Sequence, residues 1–277
     1  MFISSLPDIL SAMDQPTTDG INTYFISHFA RMRGFKAVLS GLGADELFGG
    51  YPSFKDVPAQ PLMRWLPRAL FKTAGWLKSE KLRKISFLSL ADDLGNHLMF
   101  RGLFAPSTVA SLLGISPREV DQKLQELFLG KLTANLSSGN KASWMELSLY
   151  MQNQLLRDSD AMSMWHSVEL RVPFLDKELI QLVMQLNSNL KFGADRPKDL
   201  LIRAFEDILP RQIWDRPKQG FTFPFQQWMG KEERVKQLHH HAHPLVRQMA
   251  KEFDNNQIQW SRIWALVLLQ EWKGRKI

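Results

Sequence analysis

Apolar positions recur at helical spacing along most of this chain. Ile21, Phe25, Phe29 and Met32 share one face of the segment 18–33, with Asp19 near its start and Gly34 just past its end. An acid in the first turn and a glycine beyond the last are helix start and stop signals. The same spacing predicts helices over 67–76, 82–99, 108–113, 118–129, 144–156, 176–186, 197–207, 225–229, 232–241, 245–253 and 260–272. Pro67 and Pro197 suit first helical turns, where a missing N–H leaves no bond unmade. Pro244 interrupts the pattern between two helices. Loops are expected at 52–61, which holds three prolines, and at the polar stretch 137–141.

One segment breaks the helical pattern. Phe35 to Leu39 is short, mostly apolar and preceded by Gly34, which reads as a buried strand. It runs into Ser40-Gly41-Leu42-Gly43-Ala44-Asp45-Glu46-Leu47-Phe48-Gly49-Gly50-Tyr51. Glycines let a backbone turn sharply and approach a ligand. An acidic pair beside such a turn suits magnesium, and a strand-to-helix turn suits phosphate. Taken alone, the segment also reads as a plain structural turn. A lone strand leaves its edge groups unpaired, and a parallel strand–helix unit needs a strand to pair with. The expectation is a predominantly α-helical chain with a remnant of a parallel sheet, its first strands lying outside this sequence.

Two further segments follow in order. Residues 155–164 read LLRDSDAMSM and lead into VELRVPFLD at 168–176. Lys198 lies in RPKDLLIRAFEDILP, followed by Arg216-Pro217-Lys218-Gln219-Gly220-Phe221, then Pro224 and Trp228. With SGLGADELFGGY, these resemble the synthetase domain of glutamine-dependent asparagine synthetases. Met13-Asp14-Gln15-Pro16, Asp19-Gly20, Tyr24 and the tail 260–272 share the likeness, which covers nearly the whole chain.

The resemblance implies an α/β fold of the adenine nucleotide alpha hydrolase type. Residues 1–277 then form part of a synthetase domain, with 1–55 the remnant of the nucleotide-binding α/β core and 56–277 its helical portion. It implies asparagine biosynthesis chemistry: ATP and Mg2+ activate a small-molecule carboxylate as its acyl-adenylate, and ammonia then displaces AMP. The ammonia would come from a separate glutaminase domain or chain. Lys198 and Asp158 match catalytic positions; Ser40, Gly41, Gly43 and Lys218 match nucleotide-binding ones; Asp45 and Glu46 match metal positions. Each has a plainer alternative. Asp45 also reads as a helix-start acid favoured by the dipole, Glu46 as a loop-positioning residue, and Lys198 as a solvent-facing lysine. Arg171 reads first as a structural ion-pair partner of Glu169 or Asp176.

Three departures qualify the likeness. Relatives carry a pyrophosphate loop of the form S-G-G-x-D-S; the nearest string here is Ser137-Ser138-Gly139-Asn140, with no Asp-Ser after it. The chain has no cysteine, so it cannot hydrolyse glutamine by thiolate attack. Leu42 stands where many synthetases have glutamate and a β-lactam-forming relative has tyrosine, and leucine cannot move a proton. The acceptor is therefore not readable. The chain alone is expected to be an incomplete ligase; the alternative is a non-catalytic helical fragment that acts by docking to a partner chain.

Charge adds little. A net charge of +7 and pI near 9.6 permit polyanion binding. The run KSEKLRK at 78–84 reads as a solvated helix face, and no nucleic-acid motif accompanies it. His239 and His243 would share a face if one helix ran through them, but no carboxylate pattern lies near. The tryptophans read as core. No signal peptide and no apolar run of spanning length is visible, so a cytoplasmic protein is expected, with homo-oligomerisation open.

Overall fold

The computed structural model describes residues 2–51, 54, 67–77, 79–90, 92–128, 136–193, 196–215 and 223–274. They fall into two compact units. One comprises Met1–Val38, Gln154–Arg171 and Gly220–Ile277; the other comprises Leu39–Asn153 and Val172–Gln219.

The first unit is built from the helices Phe2–Ala12, Gly20–Met32, Leu156–Trp165, Pro244–Asp254 and Trp260–Gly274. Phe2, Leu6, Ile9, Ile21, Phe25 and Trp264 are among its buried side chains. Phe2 stacks on Trp228 with ring centroids 5.1 Å apart, and Phe225 lies 4.2 Å from Trp260. Gly20 is where helices Gly20–Met32 and Leu156–Trp165 meet closely: a Cβ there would lie 3.0 Å from Met162 Cε. The strand β1 (Ala37–Leu39) pairs in parallel with β2 (Glu169–Arg171), the only sheet among the described residues.

The second unit is helical and has two apolar clusters. Leu47, Phe48 and Val183 pack with Phe174, Leu179 and Leu200, which joins the helices Ala44–Phe48, Lys177–Gln185 and Asp199–Ala204. Phe87, Leu90 and Leu94 pack with Leu98, Leu124 and Leu149.

A mostly helical chain with a sheet remnant is what the structure shows. Several local expectations are corrected. β2 was not foreseen: three residues are too short for alternation to register. The helix Phe2–Ala12 was also missed; it carries Pro7 inside it. The expected helix 82–99 is three pieces, Glu80–Arg83, a 3-10 turn Lys84–Ser89, and Asp92–Arg101. Residues 138–141, expected in a loop, open the helix Ser138–Met145, which continues as a π-helical stretch, Glu146–Leu155. Pro197 lies outside its helix, which starts at Asp199. Pro244 begins a helix rather than breaking one, with His243 as its cap accepting from Leu245 N–H at 3.2 Å. His239 pairs with Asp254 at 2.9 Å.

Candidate functional site

The glycine-rich turn starts where β1 ends. Ser40 Oγ accepts from Leu42 N–H at 3.3 Å, tightening the turn. Gly43 caps the next helix with φ +97°, and a Cβ on it would lie 2.6 Å from Leu175 Cδ2. Only glycine meets both the left-handed backbone and the close side chain.

Glu46 is fully buried and turned inward. One carboxylate oxygen accepts from Gly43 N–H at 3.1 Å, the other from the Tyr51 hydroxyl at 2.7 Å. Ser143 Oγ donates to the Glu46 carbonyl at 2.6 Å. Burial first, then the Glu46 charge, push the Tyr51 phenol well above its ordinary value, so it stays a donor.

Asp45, the neighbouring acid, points another way. Its carboxylate is partly exposed and lies 3.0 Å from Lys198 Nζ. Lys198 caps the helix Asp199–Ala204 with φ +59°. A left-handed non-glycine residue costs about 1–2 kcal/mol and marks a place where geometry is imposed. Arg196 and Arg203 both pair with Asp199, at 2.7 and 2.8 Å, which fixes the first turn behind the lysine. Thus two motifs far apart in sequence are joined at one acid–lysine contact.

Asp158 belongs to the other unit. It lies inside the helix Leu156–Trp165, not after a helix as the sequence pattern suggested, and is 2% exposed. It accepts from Gln15 Nε2 at 2.8 Å and from the Thr17 hydroxyl. Trp264 Nε1 holds the Thr17 carbonyl at 2.9 Å. Burial raises the Asp158 carboxyl to about 6 against the pull of these donors, with Asp19 and Asp14 adding to the rise. Arg157 pairs with Asp14 at 2.6 Å. Arg171 pairs with Glu169 at 3.0 Å, but the pair is exposed rather than buried; Asp176 instead caps the helix Lys177–Gln185. Lys218 lies outside the described residues.

Two features had no sequence signal. Arg101 sits 4.1 Å from the ring centroids of both Tyr51 and Tyr150 and pairs with buried Glu146 at 2.9 Å. This arrangement backs the loop through Tyr51 and Glu46, but its members are scattered in sequence. Lys191 is 2% exposed, and its Nζ has no hydrogen-bond partner among the described residues. Burial lowers it to about 8. Phe192 beside it fills the space that a Cβ on Gly49 would enter, at 2.7 Å.

The donor set bears on the ligands that the resemblance implies. Among the described residues no group of three or more His, Cys, Asp or Glu could hold a metal. Mg2+ is commonly held by one or two carboxylates together with phosphate and water. Asp45, with a partly exposed carboxylate, fits an ion brought in on a nucleotide; Glu46, with both oxygens engaged inside the loop, fits less well. Among the described residues, a Cβ on Gly41 would meet nothing within 4 Å.

The chain matches the family model described as asparagine synthase over residues 1–273, and it belongs to that family. It is 30% identical over 244 residues to glutamine-hydrolyzing asparagine synthetase 1 of Bacillus subtilis, covering 83% of this chain and 38% of that protein. It is 28% identical to asparagine synthetase 3 of the same organism, over 68% of this chain and 26% of that protein. It is 24% identical to amidase chry2 of Gibberella zeae, over 79% of this chain and 37% of that protein. The chain thus spans between about a quarter and little more than a third of these relatives' length. No solved structure matches it. No described helix is long and apolar enough to cross a membrane.

Proposed function

We propose that this chain supplies part of the ATP site of an amide-forming ligase of the asparagine synthetase type. In that reaction a carboxylate is adenylated and ammonia then attacks. The observation that carries this reading is the Asp45–Lys198 contact at 3.0 Å, with Lys198 held in a left-handed conformation. Asp45 would hold Mg2+ at the pyrophosphate, and Lys198 would set a compact positive charge against phosphate oxygens. Ser40, Gly41 and Gly43 would approach the nucleotide, and Lys218 would add a phosphate contact. Asp158, which the resemblance matches to a catalytic position, would instead hold Gln15 and Thr17 in place, since both its oxygens are engaged there. Glu46 would shape the turn, since both its oxygens are engaged there. The S-G-G-x-D-S loop and the glutaminase function are not in this sequence, so both would come from residues outside it. The names of the Bacillus relatives support ammonia derived from glutamine.

A second reading, a helical fragment that docks to a partner chain, draws on exposed apolar residues around β1. Phe35 is 57% exposed and Leu39 is 76% exposed. Pyrophosphate release separates the two. The 277-residue chain alone is expected to release none from ATP with aspartate and ammonia. Joined to an S-G-G-x-D-S loop it is expected to do so, and Asp45→Asn is expected to abolish that release. Release that survives Asp45→Asn would remove Asp45 from the metal site.

A further inference from the structure

The second unit contains a cavity of about 750 Å3 that shares no residue with the glycine-rich turn or with Lys198. That volume lies in the range of small-molecule sites, about 300–1,000 Å3. Its walls are apolar over most of their area, with serines at 86, 89, 107 and 111 among them, and three of the lining side chains are charged. Pro106, Ala110 and Ile115 form part of the apolar lining, and Trp76 stands at it 91% exposed. So large an aromatic left in water contributes nothing to the core. Lys72 and Arg118 bring two positive charges against one carboxyl, Asp121. Burial raises that carboxyl and Lys72 lowers it.

Side-chain ties hold the walls. Ser107 Oγ donates to the Gly75 carbonyl at 3.1 Å, joining the turn that carries Trp76 to the helix Pro106–Leu113. Glu80 ties the same helix from the other side, accepting from Ala105 N–H at 2.5 Å and Thr108 Oγ1 at 2.7 Å. Arg118 is placed by a capping box: Ser116 N–H donates to Glu119 at 2.8 Å, and Glu119 N–H donates to Ser116 Oγ at 3.2 Å. The cavity is therefore formed before any ligand arrives, which lowers the ordering cost of binding.

We propose that this cavity binds a small organic anion with a flat apolar body, such as an aryl carboxylate or sulfonate. The body would lie against Trp76 and Ile115, and the anionic group would face Lys72 and Arg118. The charge balance selects an anion over a cation, and a single bidentate-capable guanidinium suits a carboxylate or sulfonate.

The test uses two probes on the full chain, 1-anilinonaphthalene-8-sulfonate and its uncharged relative N-phenyl-1-naphthylamine, each followed by fluorescence titration. Trp76→Ala is expected to weaken both, because both lose the aromatic wall. Arg118→Glu is expected to weaken the sulfonate by about tenfold, which is ~1.4 kcal/mol, and to leave the uncharged probe within about twofold. Both residues are exposed, so neither change touches the core. Sulfonate binding unchanged in both variants would place the probe elsewhere and overturn the proposal. Equal weakening of both probes by Arg118→Glu would overturn the anion assignment.

Discussion

The Asp45 carboxylate occupies the position a Cβ of Gly50 would take. Gly50 N–H also donates to the Asp45 carbonyl at 2.8 Å, so the two residues hold each other through backbone and shape alike. Gly50 has no positive φ, so its role is space rather than conformation. Gly50→Ala is therefore expected to turn the Asp45 carboxylate away from Lys198 and to cost about 1–3 kcal/mol of stability, because Asp45 Cβ itself would lie 2.7 Å from the added Cβ and no side-chain rotation moves it. Calorimetric titration of ATP with and without Mg2+ checks this. The variant should lose on the order of tenfold in its Mg2+-dependent part, and an unchanged Mg2+ dependence would sink the idea.

Lys198 carries a conformational cost that its charge does not explain. Its ion pair with Asp45 is partly exposed on both sides and worth about 0–1 kcal/mol. A left-handed backbone costs a Cβ-bearing residue about 1–2 kcal/mol, and glycine escapes it. Lys198→Gly should therefore be more stable than Lys198→Ala by about 1 kcal/mol in urea unfolding, and no less stable than the parent. Both should lose phosphate affinity. If Lys198→Ala proves the more stable, the residue is not held in that conformation in solution.

Asp158 gives the first unit a pH signature of unusual sign. Its folded value is about 6, above the unfolded value near 3.8. Between those values the folded chain holds more protons, so stability falls as pH rises through about 4 to 6 and stays lower above it. The cost, about 3 kcal/mol at most, is what a carboxylate pays for burial at 2% exposure. Asp158→Asn should flatten stability between pH 4 and 6, measured by denaturant midpoints across that range. A slope identical to the parent's would show that Asp158 is not the titrating group.

The parts of the site that were legible in sequence are those where residue type alone carries the signal. Glycines at 41, 43, 49 and 50 around an acidic pair announce a sharp turn, and that turn forms. The mostly helical character was legible because amphipathic spacing repeats over many turns. What stayed hidden depends on through-space relations. Glu46 and Asp45 are adjacent, yet one is sealed inside the loop by Tyr51 and Gly43 while the other meets Lys198; their order in sequence does not say which. The left-handed backbone of Lys198 breaks a local preference, so propensity argues against it. Asp158 lies in a helix whose π-helical lead-in shifts the register on which periodicity depends.

Arg101 and Glu146 should behave as a unit. Glu146 is almost wholly buried, and Arg101 is clasped between two tyrosine rings. Removing the guanidinium leaves the buried Glu146 charge without its opposite charge on Arg101, at about 3–5 kcal/mol. Arg101→Met should cost that much in urea unfolding, and adding Glu146→Gln should recover part of it. Strictly additive losses would mean the pair is not coupled.

Lys191 titrates in the opposite sense from Asp158. Its folded value is about 8, below the 10.5 of a solvated lysine, because burial disfavours the ammonium. The only described contact that helps the charge is the Phe192 ring, 4.8 Å from Nζ. Between about pH 8 and 10.5 the unfolded chain holds more protons than the folded one, so stability should rise with pH across that window. Below it the buried charge costs up to about 3 kcal/mol. Lys191→Met keeps the side-chain length and removes the charge. It should be the more stable protein at pH 7, with the difference narrowing as pH approaches 10.5. A Lys191→Met chain less stable than the parent at neutral pH would show that the ammonium has a stabilising partner in solution.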